Sequence, residues 1–489
     1  MSPHLTFDLQ IEIINRLPVK SLLQFRSVCK AWKSLIDSSH FIAGYNAPPD
    51  QPQHLMMSYK VREEEDNEVK YVGFVDDNTT FPQQKFFLTI PHLAREAIVI
   101  GSSHGLFCFK HYFPTFGTEI VLLWNPAIRK SIAIVVPNEV HPPFHYVIGF
   151  GVCPHTKDPK LVKVTYISHY SFMGRRSCFP CQQVMVFTLS SGKWRTSRSN
   201  LVPRKSIEFP TIASSHTVIG QFIYWFAVDG TKGFRNLIMS FDLSTDEFKE
   251  IHLPNGLRKA FLCISRLRDS LVLLDRYSNS TTDKQVCDVW MMEHGDPKAF
   301  TKLYTIKSPD ASVLWTEGFR NNGEPIIVMH DDDEDEDVFS QCALVVYEPC
   351  LEHIMDLGIR GPRMSISSGN SYTYMESLLL LNHDDGHIVE VIIFTLRGDI
   401  PPCAASSSNG DSLNDSNGGD LQQVSDADGI DIEIEKLSKN HRRIPSKIAV
   451  QPSLQTLWGI WSSYKPVLGR NLNRRLSTPK DTMQCSGRE

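Results

Sequence analysis

Apolar residues recur at every third or fourth position over residues 5–41, a spacing that places them on one face of successive short helices. These positions are Leu9, Ile13, Leu17, Leu22, Phe25, Val28, Trp32 and Leu35. Pro18 interrupts the pattern because it has no backbone N–H to donate, and two further helices are predicted after it. Since a unit of about 40 residues seldom buries enough apolar surface to be stable alone, we expect it to need a metal, disulfides or a partner.

After this helical stretch the pattern changes to short apolar runs separated by turns. Residues 47–53 contain three prolines, which predicts an extended linker. Residues 54–396 carry short apolar runs bounded by glycine, proline and charged residues, a pattern typical of strands. The stretch AIVIGSSHGLFCF at residues 97–109 has two such runs around a glycine-containing turn and predicts a hairpin. We therefore predict a large all-β domain over residues 54–396.

An internal repeat indicates how these strands are arranged. A short apolar strand ends in an aromatic residue followed by a turn, and the copies lie roughly 50 to 60 residues apart, as in kelch-like propellers. The aromatic anchors are Trp124, Phe187, Phe241, Trp290 and Tyr347. Each copy predicts one small antiparallel sheet that cannot cover its own apolar face, so several should stack in a ring. We predict a β-propeller-like domain of open blade number, with the anchors in its core.

The composition changes again near the carboxyl end. Residues 388–395 predict one more strand, and residues 401–428 are rich in Ser, Asn, Gly and Asp. Such a segment buries too little apolar surface to offset the entropy of ordering, so we expect residues 397–489 to be a largely disordered tail. Its later tryptophans and alternating isoleucines leave three readings open: a weakly docked segment, appended sequence without function, or, ranked below these, a partner-binding peptide.

Composition narrows the class of protein. The chain has 489 residues, 41% of them hydrophobic, with 50 Lys and Arg against 55 Asp and Glu and a net charge of -5. That balance argues against a nucleic-acid partner, which usually meets a basic face. No apolar run approaches the roughly 18 residues that a membrane helix needs, so we expect no membrane contact and a location in the cytoplasm, the nucleus or both. The 11 scattered cysteines are expected to be reduced thiols.

Few motifs indicate chemistry. Residues 101–105 fit the G-x-S-x-G nucleophile elbow, but an apolar strand follows where that motif requires a helix. Cys178 and Cys181 form one C-x-x-C without the second pair that a zinc site needs. The acidic run Asp331 to Asp337 is typical of a solvated loop, with attraction of a basic substrate as the weaker reading. We therefore predict no catalytic residues, no metal and no cofactor.

The amino-terminal string LTFDLQIEIINRLPVKSLLQFRSVCKAWKSLI resembles the F-box, the helical module by which substrate receptors join SCF-type ubiquitin ligases. The F-box is assigned to residues 1–46, and Thr6 stands where the family usually has proline. The resemblance implies binding to a Skp-family adaptor and, through it, to a cullin. The implied adaptor-binding residues are Leu5, Leu9, Ile13, Leu17, Pro18, Leu22, Leu23, Val28 and Cys29.

The strand domain resembles the F-box-associated domain of plant F-box proteins. The motifs that carry this likeness include GSSHGLFCF at residue 101, LWNPAIRK at 123, SFDLSTDEFKEIHLP at 240, LVVYEP at 344 and YMESLLLL at 374. Together with the F-box, the resemblance covers residues 5–381. The Gly-Gly pairs of true kelch repeats are absent.

We thus predict an α+β multidomain protein: a small three-helix F-box, a large all-β propeller-like domain and a largely disordered tail. The resemblance implies a substrate receptor of a cullin ligase that holds an unknown target protein and is not itself an enzyme. Two alternatives stay open. One is an F-box protein that works outside the ligase, and the other is a propeller-type enzyme.

Overall fold

A computed structural model describes residues 7–383, apart from internal gaps of which the longest are 168–182, 332–340 and 363–371. Leu5, the Cys178 and Cys181 pair and the acidic run beyond Asp331 lie outside the described residues. The contacts within the chain divide it into residues 1–400 and residues 401–489. The second unit lies outside the described residues, as do the predicted strand at 388–395 and the tail.

Deletion of residues 401–489 should leave the midpoint of thermal unfolding within about 2 °C of that of the full chain. The deleted residues have the composition of a segment that contributes little apolar core. Differential scanning calorimetry of the two proteins would check this. A loss of several degrees would show that the tail is an integral part of the fold, and the predicted boundary at residue 397 would then be wrong.

Four short helices occupy residues 7–45, one more than the pattern predicts. They are α1 (Phe7–Asn15), α2 (Val19–Arg26), α3 (Lys30–Ile36) and α4 (Ser39–Gly44). Pro18 separates the first two, as predicted. The fourth helix begins at Ser38, whose hydroxyl accepts a hydrogen bond from the backbone N–H of Phe41 at 3.2 Å, the typical geometry of an N-cap. This cap was the signal for α4 in the sequence. We call α1–α4 the helical module.

The described strands form six antiparallel sheets, which confirms the propeller and gives it six blades. Blade 1 contains β1 (His54–Arg62), β2 (Asn67–Val75), β3 (Lys85–Phe87) and β25 (Tyr372–Tyr374). Blade 2 contains β4 (Ile98–Ser103), β5 (Leu106–Phe113), β6 (Thr118–Asn125) and β7 (Lys130–Val135). Blade 3 contains β8 (Phe144–Val152), β9 (Pro159–Ile167), β10 (Gln183–Thr188) and β11 (Lys193–Thr196).

The remaining three blades repeat this arrangement. Blade 4 contains β12 (Ile207–Glu208), β13 (His216–Ile219), β14 (Phe222–Asp229), β15 (Arg235–Asp242) and β16 (Phe248–His252). Blade 5 contains β17 (Phe261–Leu267), β18 (Ser270–Ser278), β19 (Gln285–Met292) and β20 (Phe300–Ile306). Blade 6 contains β21 (Ala311–Phe319), β22 (Pro325–Asp331), β23 (Gln341–Glu348) and β24 (His353–Pro362). Strand β25 contacts β4, the contacts continue through β8, β13, β17 and β21, and β24 of blade 6 contacts β1 of blade 1.

The sequence repeat corresponds to the third strand of each blade. Phe241 pairs with Phe248 on the neighbouring fourth strand, and Tyr347 pairs with Ile354 in the same way. The five predicted copies account for blades 2 to 6. Blade 1 supplies a sixth copy on β2, where Phe74 is fully buried. Its pattern was missed because the polar residue that follows the anchor is Asp76, one position later than in most other copies.

Four anchors are buried in the core: Trp124, Phe187, Phe241 and Tyr347. The fifth, Trp290, is half-buried and pairs with Lys302. Met292, two residues later, pairs with Phe300, and this is the strand position that Phe241 holds in blade 4. A bulge between Val289 and Trp290 shifts the register there. The alignment of Trp290 with the other anchors is therefore corrected by two residues.

The ring closes by pairing the first and last strands of the propeller. Strand β25 pairs with β1, so the last strand completes the first blade. A buried ion pair supports this junction: Arg320 Nε of blade 6 lies 3.0 Å from Asp76 Oδ1 of blade 1, and the side chains are 5% and 1% exposed. The Arg320 guanidinium also donates to the Asp77 carbonyl at 2.9 Å and lies 3.8 Å from the centre of the Phe81 ring. We call this set the closure lock.

Candidate functional site: the helical module and its seat

The helical module exposes several apolar side chains to solvent. Ile13 of α1 is 52% exposed and Val28, just after α2, is 67% exposed. Pro18 and Cys29 are exposed as well. Large apolar side chains exposed on so small a unit are typical of a protein contact surface. Four residues that the F-box resemblance implies as adaptor-binding are therefore accessible to a partner.

The other implied residues differ in accessibility. Leu17 and Leu23 are half-buried and pack against the core beneath the module. Leu22 is fully buried, because it lies one helical turn after the buried Val19 on the inner face of α2. In the described residues Leu22 thus contributes to the core and not to the exposed surface, and its role in adaptor binding stays a prediction. Leu9 lies within α1, where only the backbone is described.

The buried side of the module shares one apolar core with the propeller. The module contributes Ile14, Val19, Leu22, Ile36, Phe41, Ile42 and Tyr45. Blades 2 and 3 contribute residues that include Leu106, Cys108, Leu123, Ile132, Phe150 and Leu161, and the segment after β25 adds Leu378, Leu379, Leu380 and Leu381. Full burial of each large aliphatic side chain stabilises by about 1.5–3 kcal/mol. The module is thus packed onto the propeller as part of one core.

Polar contacts fix the position of the module. The backbone N–H of Val19, at the start of α2, donates to Glu376 Oε2 at 3.1 Å. The Tyr45 hydroxyl donates to the carbonyl of Leu17 at 3.0 Å, which joins the end of the module to the turn between α1 and α2. An acidic group at a helix N-terminus satisfies an otherwise unpaired N–H and complements the helix dipole. Glu376 therefore fixes α2 to the segment that follows β25.

The same segment is fixed to blade 2 by two side chains. Asn125 is fully buried, and its Nδ2 donates to the carbonyls of Ser377 at 2.9 Å and Leu379 at 2.8 Å. Lys130 Nζ donates to the carbonyl of His383 at 2.7 Å. We call residues 375–383 the seat segment, since it contacts the helical module on one side and blade 2 on the other.

Replacing Asn125 with alanine should reduce the free energy of unfolding by about 1–3 kcal/mol, because the buried carbonyl of Leu379 and the partly buried carbonyl of Ser377 lose their donor. Asn279→Ala is the matched control. Asn279 accepts from a backbone N–H two residues on, as Asn125 does, but it supports no distant carbonyl. Urea unfolding of both variants would check the difference, and equal losses would show that the local turn, not the seat segment, is what Asn125 stabilises.

Buried tyrosines near Glu376 remain protonated. Burial raises the pKa of the Tyr45 hydroxyl well above its usual value, and the Glu376 carboxylate raises it further. Tyr374 shows the same direction for the same two causes, with burial again the larger. Burial lowers the pKa of His54, against a smaller opposing effect of Glu376. Tyr45 is therefore a neutral hydrogen-bond donor throughout the physiological pH range, which is the form that its contact with Leu17 requires.

The G-x-S-x-G stretch forms the turn between β4 and β5. His104 and Gly105 have φ angles of 48° and 77°, and a Cβ atom on Gly105 would lie 2.4 Å from the carbonyl oxygen of Met375. Glycine is required here because the turn packs closely on the seat segment. The Ser103 hydroxyl is buried and accepts from the backbone N–H of Val152 at 3.1 Å. The turn joins two strands, so the strand-to-helix geometry of a nucleophile elbow is absent from this motif.

The blade ends opposite the helical module expose further apolar side chains. Ile98 begins β4, at the far end from the turn that contacts the seat segment, and is 62% exposed. Phe261 begins β17 in the equivalent place and is 60% exposed, with the Arg276 guanidinium 4.7 Å from its ring centre. Tyr112, near the end of β5, is 54% exposed. We call this surface, defined by Ile98, Tyr112 and Phe261, the distal surface.

In the described residues, no group of three or more His, Cys, Asp or Glu side chains is arranged to hold a metal ion. Of the helices described, none is long and apolar enough to cross a membrane.

The described chain combines a six-bladed propeller with a module of four short helices packed on blades 2 and 3. The chain belongs to the F-box associated beta propeller family: the family model for the F-box associated beta propeller domain matches residues 94–380, and the F-box domain model matches residues 3–43. Strands β1–β3 precede the first of these matches but complete the same ring.

Curated relatives are named as F-box proteins. F-box protein At3g07870 of Arabidopsis thaliana is 24% identical over 380 residues, which cover 72% of this chain and 87% of the relative. Putative F-box protein At3g52320 of the same plant is 24% identical over 343 residues, covering 65% and 77%. The protein is thus a plant-type F-box protein with a carboxyl-terminal F-box-associated domain, as the sequence motifs predict.

Among solved structures, an oligogalacturonate lyase in complex with manganese matches with a TM-score of 0.34 and 10% identity, covering 63% of this chain and 73% of the lyase. The beta-propeller domain of the Trilobed protease from Pyrococcus furiosus matches with a TM-score of 0.30 and 13% identity, covering 53% and 71%. At these TM-scores neither likeness bears on function.

Proposed function

We propose that the protein is a non-catalytic substrate receptor of an SCF-type cullin ubiquitin ligase. The observation that carries the proposal is the exposure of Ile13, Pro18, Val28 and Cys29 on a helical module whose opposite side is packed into the propeller core. These side chains would contact a Skp-family adaptor, and a cullin would join through the adaptor. Family membership supports the adaptor contact, since the matched module is an F-box.

The distal surface would hold the target protein. Ile98, Tyr112 and Phe261 lie at the blade ends away from the helical module, so a bound target would leave the adaptor contact unobstructed. Aromatic residues and arginine, both present here, are enriched in protein interfaces. Because the module and propeller share one core, the target would be held at a defined distance from the adaptor.

Joint capture of adaptor and cullin tests this function. The full chain, expressed in plant cells with the proteasome inhibited, should bring down a Skp-family adaptor and a cullin together in extracts of cytoplasm, nucleus or both. Capture of the adaptor without cullin would favour the alternative of an F-box protein that works outside the ligase. Failure to bind any Skp-family adaptor would contradict the proposal.

A further inference from the structure

A groove lies between the outer strands of blades 1 and 6. It has a volume of about 160 Å³ and is lined by Val72, Lys85, Phe87, Gly358, Ile359 and Arg360. Val72 and Ile359 are 1% and 7% exposed and belong to the apolar core between these two blades, so they form the floor. Lys85 and Phe87 form one wall and Arg360 the other. We call this the edge groove.

The wall formed by β3 exposes more apolar surface than an edge strand needs. All three of its side chains are exposed, and Phe86 and Phe87 are 38% and 66% exposed. Natural edge strands are usually protected from further pairing by short length and by charged side chains. The strand is short and carries Lys85, but its two exposed phenylalanines favour contact with a partner.

The backbone of β3 has one side available for pairing. The Leu88 N–H donates to the Tyr71 carbonyl at 3.0 Å, and the Val75 N–H donates to the Gln84 carbonyl at 3.1 Å, so even-numbered residues bond to β2. In an antiparallel pair the intervening residues point their N–H and C=O groups the other way. The N–H and C=O groups of Lys85 and Phe87 therefore point away from the sheet, and β3 is the last strand of blade 1 in the described chain.

The charge of the edge groove selects an acidic occupant. Lys85 is exposed and, within the described residues, forms no ion pair. Arg360 Nη2 lies 2.5 Å from Asp356 Oδ2, and the side chains of Arg360 and Asp356 are 63% and 40% exposed. Two cations and one carboxylate leave the groove with an excess positive charge, which attracts a carboxylate and repels a lysine.

A bulge on the opposite wall shapes the groove. On β24, Asp356 lies opposite Val345 of β23, and Ile359 lies opposite the adjacent residue Leu344. Leu357 and Gly358 are therefore extra residues with no partner on β23. Gly358 has a φ of 66° and no atom within 4 Å of a built Cβ, so it faces open space. Bulges commonly re-aim side chains at sheet edges and beside functional sites. Here the bulge lies directly beside Ile359 and Arg360.

We infer that β3 binds an extended acidic segment of a partner protein, which adds to blade 1 as a further antiparallel strand. Backbone hydrogen bonds to Lys85 and Phe87 would supply affinity, and the side chains of the edge groove would supply specificity. Residues of the added strand opposite Phe87, Phe86 and Lys85 would be apolar, apolar and acidic in that order, since antiparallel strands run in opposite directions. The inference does not depend on adaptor binding, because no groove residue belongs to the helical module.

Fluorescence polarisation of the full-length protein with two labelled peptides tests the inference. The probe is a nine-residue peptide with a central Val-Val-Glu flanked by threonines, and the control peptide carries Val-Val-Lys instead. The unmutated protein should bind the Val-Val-Glu peptide saturably and at least about tenfold more tightly than the Val-Val-Lys peptide. This corresponds to a difference in binding free energy of about 1.4 kcal/mol. Absence of saturable binding, or equal binding of the two peptides, would overturn it.

Three variants locate the site. Lys85→Glu should weaken binding of the acidic peptide at least tenfold and should now favour the Val-Val-Lys peptide. Phe87→Pro removes an N–H that points away from β2, so it should abolish binding with little change in melting temperature. Lys249→Glu, on the exposed outer strand of blade 4, is the matched control and should bind like the unmutated protein. If Lys249→Glu weakens binding as much as Lys85→Glu does, the attraction is non-specific and the inference is overturned. If Phe87→Pro fails to fold, the result for Lys85→Glu decides the question alone.

Discussion

Replacing both Ile13 and Val28 with aspartate is expected to abolish binding to a Skp-family adaptor without changing the melting temperature of the protein. Both side chains are largely exposed, so their loss removes nothing from the core. Well-packed apolar residues at an interface contribute about 2 kcal/mol or more each, and an unpaired carboxylate in the contact adds a further cost. The double variant should therefore bind at least about a thousandfold more weakly, a loss of about 4 kcal/mol, in calorimetry with a purified adaptor.

A second double variant controls for the general effect of adding two charges. Ile98 and Leu351 are 62% and 73% exposed on the propeller, and their replacement with aspartate should leave adaptor affinity unchanged. Leu17 is a less informative target, because it is half-buried against the core and its truncation would also loosen the module. Unchanged binding by the Ile13 and Val28 variant would place the adaptor contact elsewhere.

Replacing Arg320 with alanine is expected to lower the free energy of unfolding by about 3–5 kcal/mol. The loss leaves the Asp76 carboxylate buried, at 1% side-chain exposure, without its cation. It also removes the donor to the Asp77 carbonyl and the guanidinium over Phe81. Urea or thermal unfolding measures the change, with circular dichroism to show that the variant is folded beforehand.

The matched control for the closure lock is Arg268→Ala, one blade earlier. Arg268 also reaches across to the next blade, where it donates to the carbonyls of Asn321 at 3.1 Å and Asn322 at 2.8 Å. It is exposed and has no buried carboxylate as partner, so its loss should cost less than about 1 kcal/mol. A similar loss in both variants would mean that the closure lock has no special role among the blade junctions.

The local features of the helical module could be predicted from its sequence. Four-residue spacing and Pro18 located α1 and the start of α2, because helix periodicity and a missing N–H act within a few residues. The exposed surface of the module was harder to predict. Leu22 and Val28 both fit an apolar helical pattern, but only the packing of the module on blades 2 and 3 decides that Leu22 is buried and Val28 is exposed.

The repeat predicted the propeller for a similar reason, since every blade has its own short-range pattern of strand, aromatic residue and turn. The number of blades could not be read from it. Blade 1 takes β25 from the other end of the domain, and a three-residue strand such as Tyr372–Tyr374 has no distinct signal in sequence. The shift at Trp290 was hidden as well, because Trp290 is the aromatic residue of β19, whereas the non-aromatic Met292 holds the anchor position.

The role of the seat segment sets an order on how the protein can be made. The helical module leaves the ribosome first, but its contact at Glu376 and its leucine neighbours at 378–381 are synthesised only after all six blades. Contacts so distant in sequence form late in folding, since they require closure of a long loop. A nascent or prematurely terminated chain that ends before residue 372 would carry the module without β25 or its seat. Such a chain would keep the contacts of the module with blades 2 and 3 but would lack Glu376 and the leucines at 378–381, so closure of the ring supplies the last part of the seat.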